Sequence, residues 1–365
     1  MIILVMENLW KKIVDHRGHP LSWPALIVLA IASLLYRLGW WLGSLKKGGR
    51  VRLTTPVVSI GNLTVGGTGK TPVTLEIARI LRDEKVTVGV VVSGYKRKIK
   101  DTIIATGTEI VHLDPDRTGD ELMLLAASLP EAVFAVAGSK TEAAILLERK
   151  YHPDIILIDD GYQHRRLFRD LDILLVDAAR DLLADYLLPL GYLREPLGAL
   201  SRADMILVTR ANYSDRKDRL IAKLNELTAV PIIPVEFINR EIVSDKEKVD
   251  LDRLGAQTLY LFGGIGHFGT LEKHLADRGL QIVGGRAFPD HCRYDARQRR
   301  NIETDLAEYC PDYAVTTLKD YVKLKTFDFG RPLYYLNLAL EFDRQRGILK
   351  NRLIQVPGNR HGTEI

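Results

Sequence analysis

The run Gly61-Asn62-Leu63-Thr64-Val65-Gly66-Gly67-Thr68-Gly69-Lys70-Thr71 contains the residue types that hold phosphate. It closes on the Walker A ending and lies between a strand-like run, Val57-Val58-Ser59-Ile60, and a helix-like run from about Pro72 to Asp83. Thr64 stands where the usual first glycine would be. Gly66 and Gly67 leave the backbone free to curl around an anion, and the helix N-terminus adds its own amides. Thr64, Gly66, Gly67, Thr68, Gly69, Lys70 and Thr71 are therefore the expected nucleotide contacts. Lys70 would bridge the β- and γ-phosphates of ATP, and Thr71 would bind Mg²⁺. Such a loop needs a second strand that ends in an aspartate. Ile155-Ile156-Leu157-Ile158-Asp159-Asp160 supplies one, with Asp159 and Asp160 as candidate Mg²⁺ ligands.

These residues need a scaffold, and the pattern around them provides one. Strand-like segments (86–92, 132–136, 155–158, 173–176, 205–208) alternate with helix-like ones (121–128, 141–150, 220–227). This alternation predicts an α/β fold: a P-loop NTPase-type, mostly parallel sheet with helices on both faces. A polar stretch at 212–217 and a charged one at 245–253 separate this core from a second α/β pattern. That pattern has strands at 258–262, 281–287 and 313–316 and helices at 271–278 and 296–309. The expected division is an N-terminal membrane segment (1–50), a phosphate-loop core (51–230), a smaller α/β domain (231–350) and a frayed tail (351–365).

The chain has 365 residues, 46% hydrophobic and 27% charged, a globular composition that excludes extended disorder. Its net charge of +5 suits an acidic ligand or an anionic membrane and does not call for nucleic acid. Its two cysteines, Cys292 and Cys310, form no CxxC pair, which argues against a disulfide framework or a zinc ribbon. Leu21 to Tyr36 carries no charge; Arg37 interrupts, Trp40-Trp41 follow, and Lys46, Lys47, Arg50 and Arg52 flank the run. A spanning helix needs ~20 apolar residues. The shorter run, paired tryptophans and basic flank predict a monotopic anchor with the catalytic part on the cytoplasmic side.

The segment Asp159-Asp160-Gly161-Tyr162-Gln163-His164-Arg165 resembles the DDG-x-QH segment of tetraacyldisaccharide 4'-kinases, and the phosphate loop, Thr64 included, is similar to theirs. Further similarities are Gly119-Asp120-Glu121, Leu188 through Pro196, Arg202-Ala203-Asp204, Phe288-Pro289-Asp290-His291, and Lys319-Asp320 with Lys323, all in the family's order. The resemblance implies transfer of the ATP γ-phosphate to the 4'-hydroxyl of an acylated glucosamine disaccharide 1-phosphate, at the cytoplasmic face of a Gram-negative inner membrane, by a protein expected to be monomeric. It implies Asp120 as the base, with His291 hydrogen-bonded to it across two domains that close. Tyr95, Arg97, Gln163, His164 and Arg165 are the implied substrate contacts. Arg165 and Arg166 read equally well as solvated surface.

Two rival readings remain. Gly264-Ile265-Gly266-His267-Phe268-Gly269, with Asp290 downstream, has the form of a dinucleotide fingerprint. The loop alone also fits a membrane-tethered ATPase that switches a partner.

Overall fold

The computed structural model describes residues 9–10, 12–15, 23–45, 49–94, 97–265, 268–289 and 292–358. Elements are numbered along the chain. Helix α1 is Trp23–Leu45, with Pro24 in its first turn, where a missing N–H costs nothing. Within it, Trp23–Gly43 is long and apolar enough to cross a membrane by length and composition. Strand β1 (Val57–Asn62) leads into α2 (Lys70–Asp83), and β2 (Val88–Val91) follows. Next come β3 (Ile103–Thr106), the one-turn α3 (Gly107–Ile110), α4 (Pro115–Ser128) and β4 (Val133–Val136). Then follow α5 (Lys140–Tyr151), β5 (Ile155–Asp159), β6 (Leu171–Asp177), β7 (Met205–Thr209) and α6 (Lys217–Leu227). The remainder is β8 (Ile232–Val243), β9 (Lys248–Asp250), β10 (Thr258–Gly263), α7 (Phe268–Asp277) and β11 (Gln281–Ala287). It ends with α8 (Ala296–Tyr309), β12 (Tyr313–Thr317), α9 (Leu318–Leu324), β13 (Leu333–Glu341) and α10 (Arg346–Gly358).

The chain divides into two compact units. The first comprises Met1–Ser93, Gly138–Glu236 and Phe342–Ile365; the second comprises Gly94–Ala137 and Phe237–Glu341. This cuts the chain differently from the continuous segments read off the sequence. Residues 94–137 leave the phosphate-loop core because β3 and β4 pair antiparallel and α4 packs on α9.

In the first unit the strand order is β8-β7-β6-β1-β5-β2, and every pairing is parallel. β1 lies inside the sheet and is buried at all six positions, as expected of a parallel strand covered on both faces. One core joins Leu174 and Val176 of β6 and Ile206 and Val208 of β7 to Leu220 and Leu224 of α6. The tail expected to fray after Arg352 is instead helical to Gly358. Leu349, Leu353 and Val356 recur at helical spacing and are buried, each worth about 1.5–3 kcal/mol against exposure. Arg346 pairs with Glu76 and Lys350 with Glu84, which fixes α10 along α2.

In the second unit the order is β11-β10-β12-β13-β8, with β9 antiparallel to β8. Leu259 and Leu261 enter one core and Tyr260 and Phe262 another, because alternate residues of β10 face opposite sides. The sequence pattern does not disclose β3, α3, β9, α9 or β13. Both cysteines are free.

Candidate active site

The phosphate loop lies in the first unit, and its backbone explains its glycines. Gly66 (φ +111°) and Gly69 (φ +83°) are left-handed, a region side chains rarely adopt. Gly69 is also the N-cap of α2. A Cβ at Gly61 would come within 2.8 Å of the Tyr162 backbone nitrogen, so only glycine fits there. A Cβ at Gly67 would meet nothing within 4 Å, leaving the loop open on that side. Thr68 Oγ1 is buried with no hydrogen-bond partner among the described residues. An open glycine turn with an orphaned hydroxyl fits a phosphate-bearing ligand.

The loop is held at both ends. Asn62 Nδ2 donates to the Thr64 carbonyl at 2.8 Å, and Lys70 Nζ donates to Asn62 Oδ1 at 3.3 Å. Thr209 Oγ1 donates to the Thr68 carbonyl at 2.9 Å, and Arg210 donates to the Gly67 carbonyl. Thr71 occupies the second position of α2.

The two aspartates occupy different surroundings. Asp159 ends β5 opposite Ile60 of β1 and accepts the Thr74 hydroxyl at 3.1 Å. Burial pushes its carboxyl up against the pull of Lys70 and Lys140. Asp160 takes a left-handed φ of 52° and turns its carboxylate to within 3.6 Å of Lys70 Nζ. Arg194 donates to both of its oxygens, at 3.1 and 3.0 Å. Burial would raise the Asp160 carboxyl, but Lys70, Arg194 and Lys140 outweigh it and hold it below the usual range. Lys140 donates to the carbonyls of Asp159 and Asp160, and burial pushes its ammonium down.

The expected substrate residues separate into groups. Gln163 joins the loop: its Nε2 donates to the Asn62 carbonyl at 2.7 Å. His164 Nε2 meets Thr141 Oγ1 at 2.8 Å, and burial and nearby cations push its ring down. Arg165 donates to Glu195 at 2.8 Å and lies 5.0 Å from the Trp40 ring centroid, so it is tied in rather than freely solvated. Arg202 donates to the same Glu195, which is only 3% exposed. Arg97 belongs to the second unit and is buried; it donates to Asp101 and to the Arg117 carbonyl, pinning its own loop to α4. Tyr95 lies outside the described residues.

The second unit holds Asp120. Helix α4 is interrupted at Gly119 (φ 71°, ψ 167°), and Asp120 is the first residue beyond the kink. Lys323 Nζ lies 2.7 Å from Asp120 Oδ2 and also donates to the Cys292 carbonyl at 3.0 Å. Lys323 is carried by α9, whose N-cap Thr317 accepts the Asp320 amide at 3.2 Å. Asp320, fully buried, accepts the Gly264 amide at 2.8 Å. His291, Asp290, Gly266 and His267 lie outside the described residues. Cys292, which follows His291 in the chain, belongs to the same unit as Asp120, whereas the sequence reading had assigned the two segments to different domains.

Sequence reasoning gave no role to Asn62, Lys140, Arg194, Arg210 or Lys323. Asn62, Arg194 and Lys323 stand inside segments already singled out by resemblance; nothing in the spacing marks Lys140 or Arg210.

A parallel sheet, a glycine loop closing on Lys70-Thr71 at a helix N-terminus, and an aspartate pair at the end of the next strand place the chain among P-loop nucleotide-binding proteins. The family model for tetraacyldisaccharide-1-P 4'-kinase matches residues 19–356. The tetraacyldisaccharide 4'-kinase of Pelobacter propionicus is 34% identical over 328 residues, 87% of this chain and 89% of the relative. That of Aquifex aeolicus is 33% identical over 301 residues, 82% and 88% of the two chains. The crystal structure of LpxK from Aquifex aeolicus in complex with ATP matches with a TM-score of 0.68 at 28% identity, covering 97% of this chain and 98% of that one. The chain belongs to the tetraacyldisaccharide-1-P 4'-kinase family.

Proposed function

We propose that the protein transfers the γ-phosphate of ATP to the 4'-hydroxyl of a tetraacylated glucosamine disaccharide 1-phosphate, giving the lipid A precursor phosphorylated at both ends. The observation that supports this most is the Lys70–Asp160–Arg194 cluster beside an open glycine loop, in a chain of this family. Lys70 and the loop amides meet the β- and γ-phosphates. The donor set of the Thr71 hydroxyl and the Asp159 and Asp160 carboxylates is all oxygen, which suits a hard cation, and these residues would hold Mg²⁺. When bound, Mg²⁺ neutralises charge on the phosphates. Asp160 already faces Lys70, so it is the aspartate we assign to the phosphate side.

A sugar hydroxyl must lose its proton as it attacks phosphorus. Asp120 is the proposed acceptor: the 4'-hydroxyl proton moves to a carboxylate oxygen as the O–P bond forms and the bond to ADP breaks. His291 is proposed as its hydrogen-bonding partner, and Tyr95 and Gln163 as contacts to the acceptor. His164, Arg165 and Arg97 act by supporting the loops that carry these groups. Helix α1 is proposed to seat the protein on the cytoplasmic face of the inner membrane, where the acyl chains of the acceptor remain.

The test is incubation of detergent-solubilised protein with Mg²⁺, γ-labelled ATP and the tetraacyl disaccharide 1-phosphate. Label should enter the lipid and should disappear with Lys70→Ala. ATP consumed without lipid labelling would reject this acceptor and favour an ATPase that switches a partner.

A further inference from the structure

A short strap, residues 187–194, joins helix α1 to the phosphate loop. On the helix side, Ser33 Oγ donates to the Leu187 carbonyl at 3.0 Å and Tyr36 OH donates to the Arg194 carbonyl at 2.7 Å. Ser33 and Tyr36 are three residues apart, so both lie on one face of the helix. Trp10 adds a third bond, donating to the Pro189 carbonyl at 2.6 Å. On its other edge the strap holds the entry of the phosphate loop. The Arg194 amide donates to the Leu63 carbonyl at 2.7 Å, the Val65 amide donates to the Tyr192 carbonyl at 2.8 Å, and Thr64 bridges Leu193. Leu193 is buried in the core of the unit, so the strap is anchored between its two edges. From its end, the Arg194 guanidinium reaches Asp160.

The exposed surface of α1 is mainly apolar, Arg37 excepted: Ile27, Ile31, Leu34 and Leu38 are 63%, 57%, 66% and 51% accessible. The helix therefore carries two separable features. Its apolar side suits lipid, and its hydroxyl-bearing side holds the strap.

We propose that Ser33 and Tyr36 are positioning residues for phosphate transfer, acting through the 187–194 strap to set the entry of the phosphate loop and the approach of Arg194 to Asp160. On this account α1 is a component of the phosphate site as well as a membrane anchor. The inference rests on the kinase reading above. Losing the two hydroxyls leaves the apolar surface intact and frees the strap on its helix side. The Arg194 guanidinium then no longer has a backbone fixed at both its amide and its carbonyl.

The experiment compares the full-length protein with Ser33→Ala/Tyr36→Phe on vesicles of phosphatidylethanolamine and phosphatidylglycerol. Vesicle partition is read by flotation, folding by thermal melting, ATP affinity by titration without acceptor, and kcat and KM by lipid phosphorylation. Partition should stay within about twofold while kcat/KM for ATP falls about fivefold or more, the scale of one net hydrogen bond. In an Arg194→Gln background the same two changes should have a smaller effect than in the unaltered protein, because the side chain that reaches Asp160 is gone and only the backbone bonds to the loop entry remain. Ser33→Thr, which keeps a hydroxyl, should retain activity. Unchanged kcat/KM would overturn the proposal, as would loss of activity in proportion to loss of partition, or an effect of equal size in the Arg194→Gln background. Failure of the unaltered protein to phosphorylate the lipid would reject the kinase reading instead, and the ATP titration would still show whether the strap governs the nucleotide site.

Discussion

The surroundings of Lys70 and those of Asp120 are built in opposite ways. Lys70 and its partner Asn62 are eight residues apart, on the two sides of one loop. The conformation of that loop follows from Gly66 and Gly69, whose left-handed φ values leave little choice of residue. Asp120 has no such local frame. It follows a kink at Gly119, and its ion-pair partner, Lys323, arrives on a helix from the far end of the chain. The helix that carries Lys323 is in turn held by Asp320, buried and bonded to the Gly264 amide. One region is specified by backbone geometry, the other by the packing of distant segments. A side-chain change in the first should alter charge at the phosphates and little else; in the second it should alter how a group is held.

The largest effect is expected at Lys70. Lys70→Ala removes the cation proposed to meet the transferred phosphate and should lower kcat by ~10²-fold or more, with the melting temperature preserved. Single-turnover transfer of labelled phosphate checks this; a loss explained by unfolding would mean that the loop is not locally determined. Next is Lys323→Met. It should lower kcat by about tenfold while leaving KM for ATP unchanged, because a charged hydrogen bond contributes ~1.5–3 kcal/mol and Lys323 bonds Asp120 and the Cys292 carbonyl, both in the second unit. Lys323→Arg should recover part of the rate. A steady-state assay with wild-type kcat in Lys323→Met would remove Lys323 from the account of the second region. The smallest effect on rate is expected from Leu353→Ala in α10. It should cost about 2–5 kcal/mol of stability, read by denaturant unfolding, with transfer at low temperature little changed.

The same contrast explains what the sequence disclosed. Strand β1, the loop and helix α2 are contiguous, so spacing alone placed Gly66 through Thr71 correctly on a strand–loop–helix unit. Strand β5 was legible for the same reason, as an apolar run closed by Asp159. Spacing did not disclose that Asp159 would face Thr74 while Asp160 turned towards Lys70 and Arg194, since that depends on a left-handed φ at a non-glycine residue. Arg194 and Lys140 reach the aspartates through tertiary contacts that carry no periodic signal. Arg97 and Arg165, basic residues near motifs, were expected to meet substrate, yet their guanidinium groups are engaged by Asp101 and Glu195. The order of the tail is not legible because Lys350, Asn351, Arg352 and Gln355 interrupt the apolar positions, and Leu349, Leu353 and Val356 are buried in a helix that packs on α2.

The most direct test of the central claim separates nucleotide binding from proton acceptance. Asp120→Asn keeps the shape of the side chain and removes its basicity. ATP affinity and the single-turnover rate of transfer to the lipid acceptor should be measured on the same folded variant. The account predicts ATP affinity within about threefold of the unaltered protein and a transfer rate lowered ~10²-fold or more, the usual share of a positioned base. A transfer rate within about threefold of the unaltered protein would contradict it and remove Asp120 as the base.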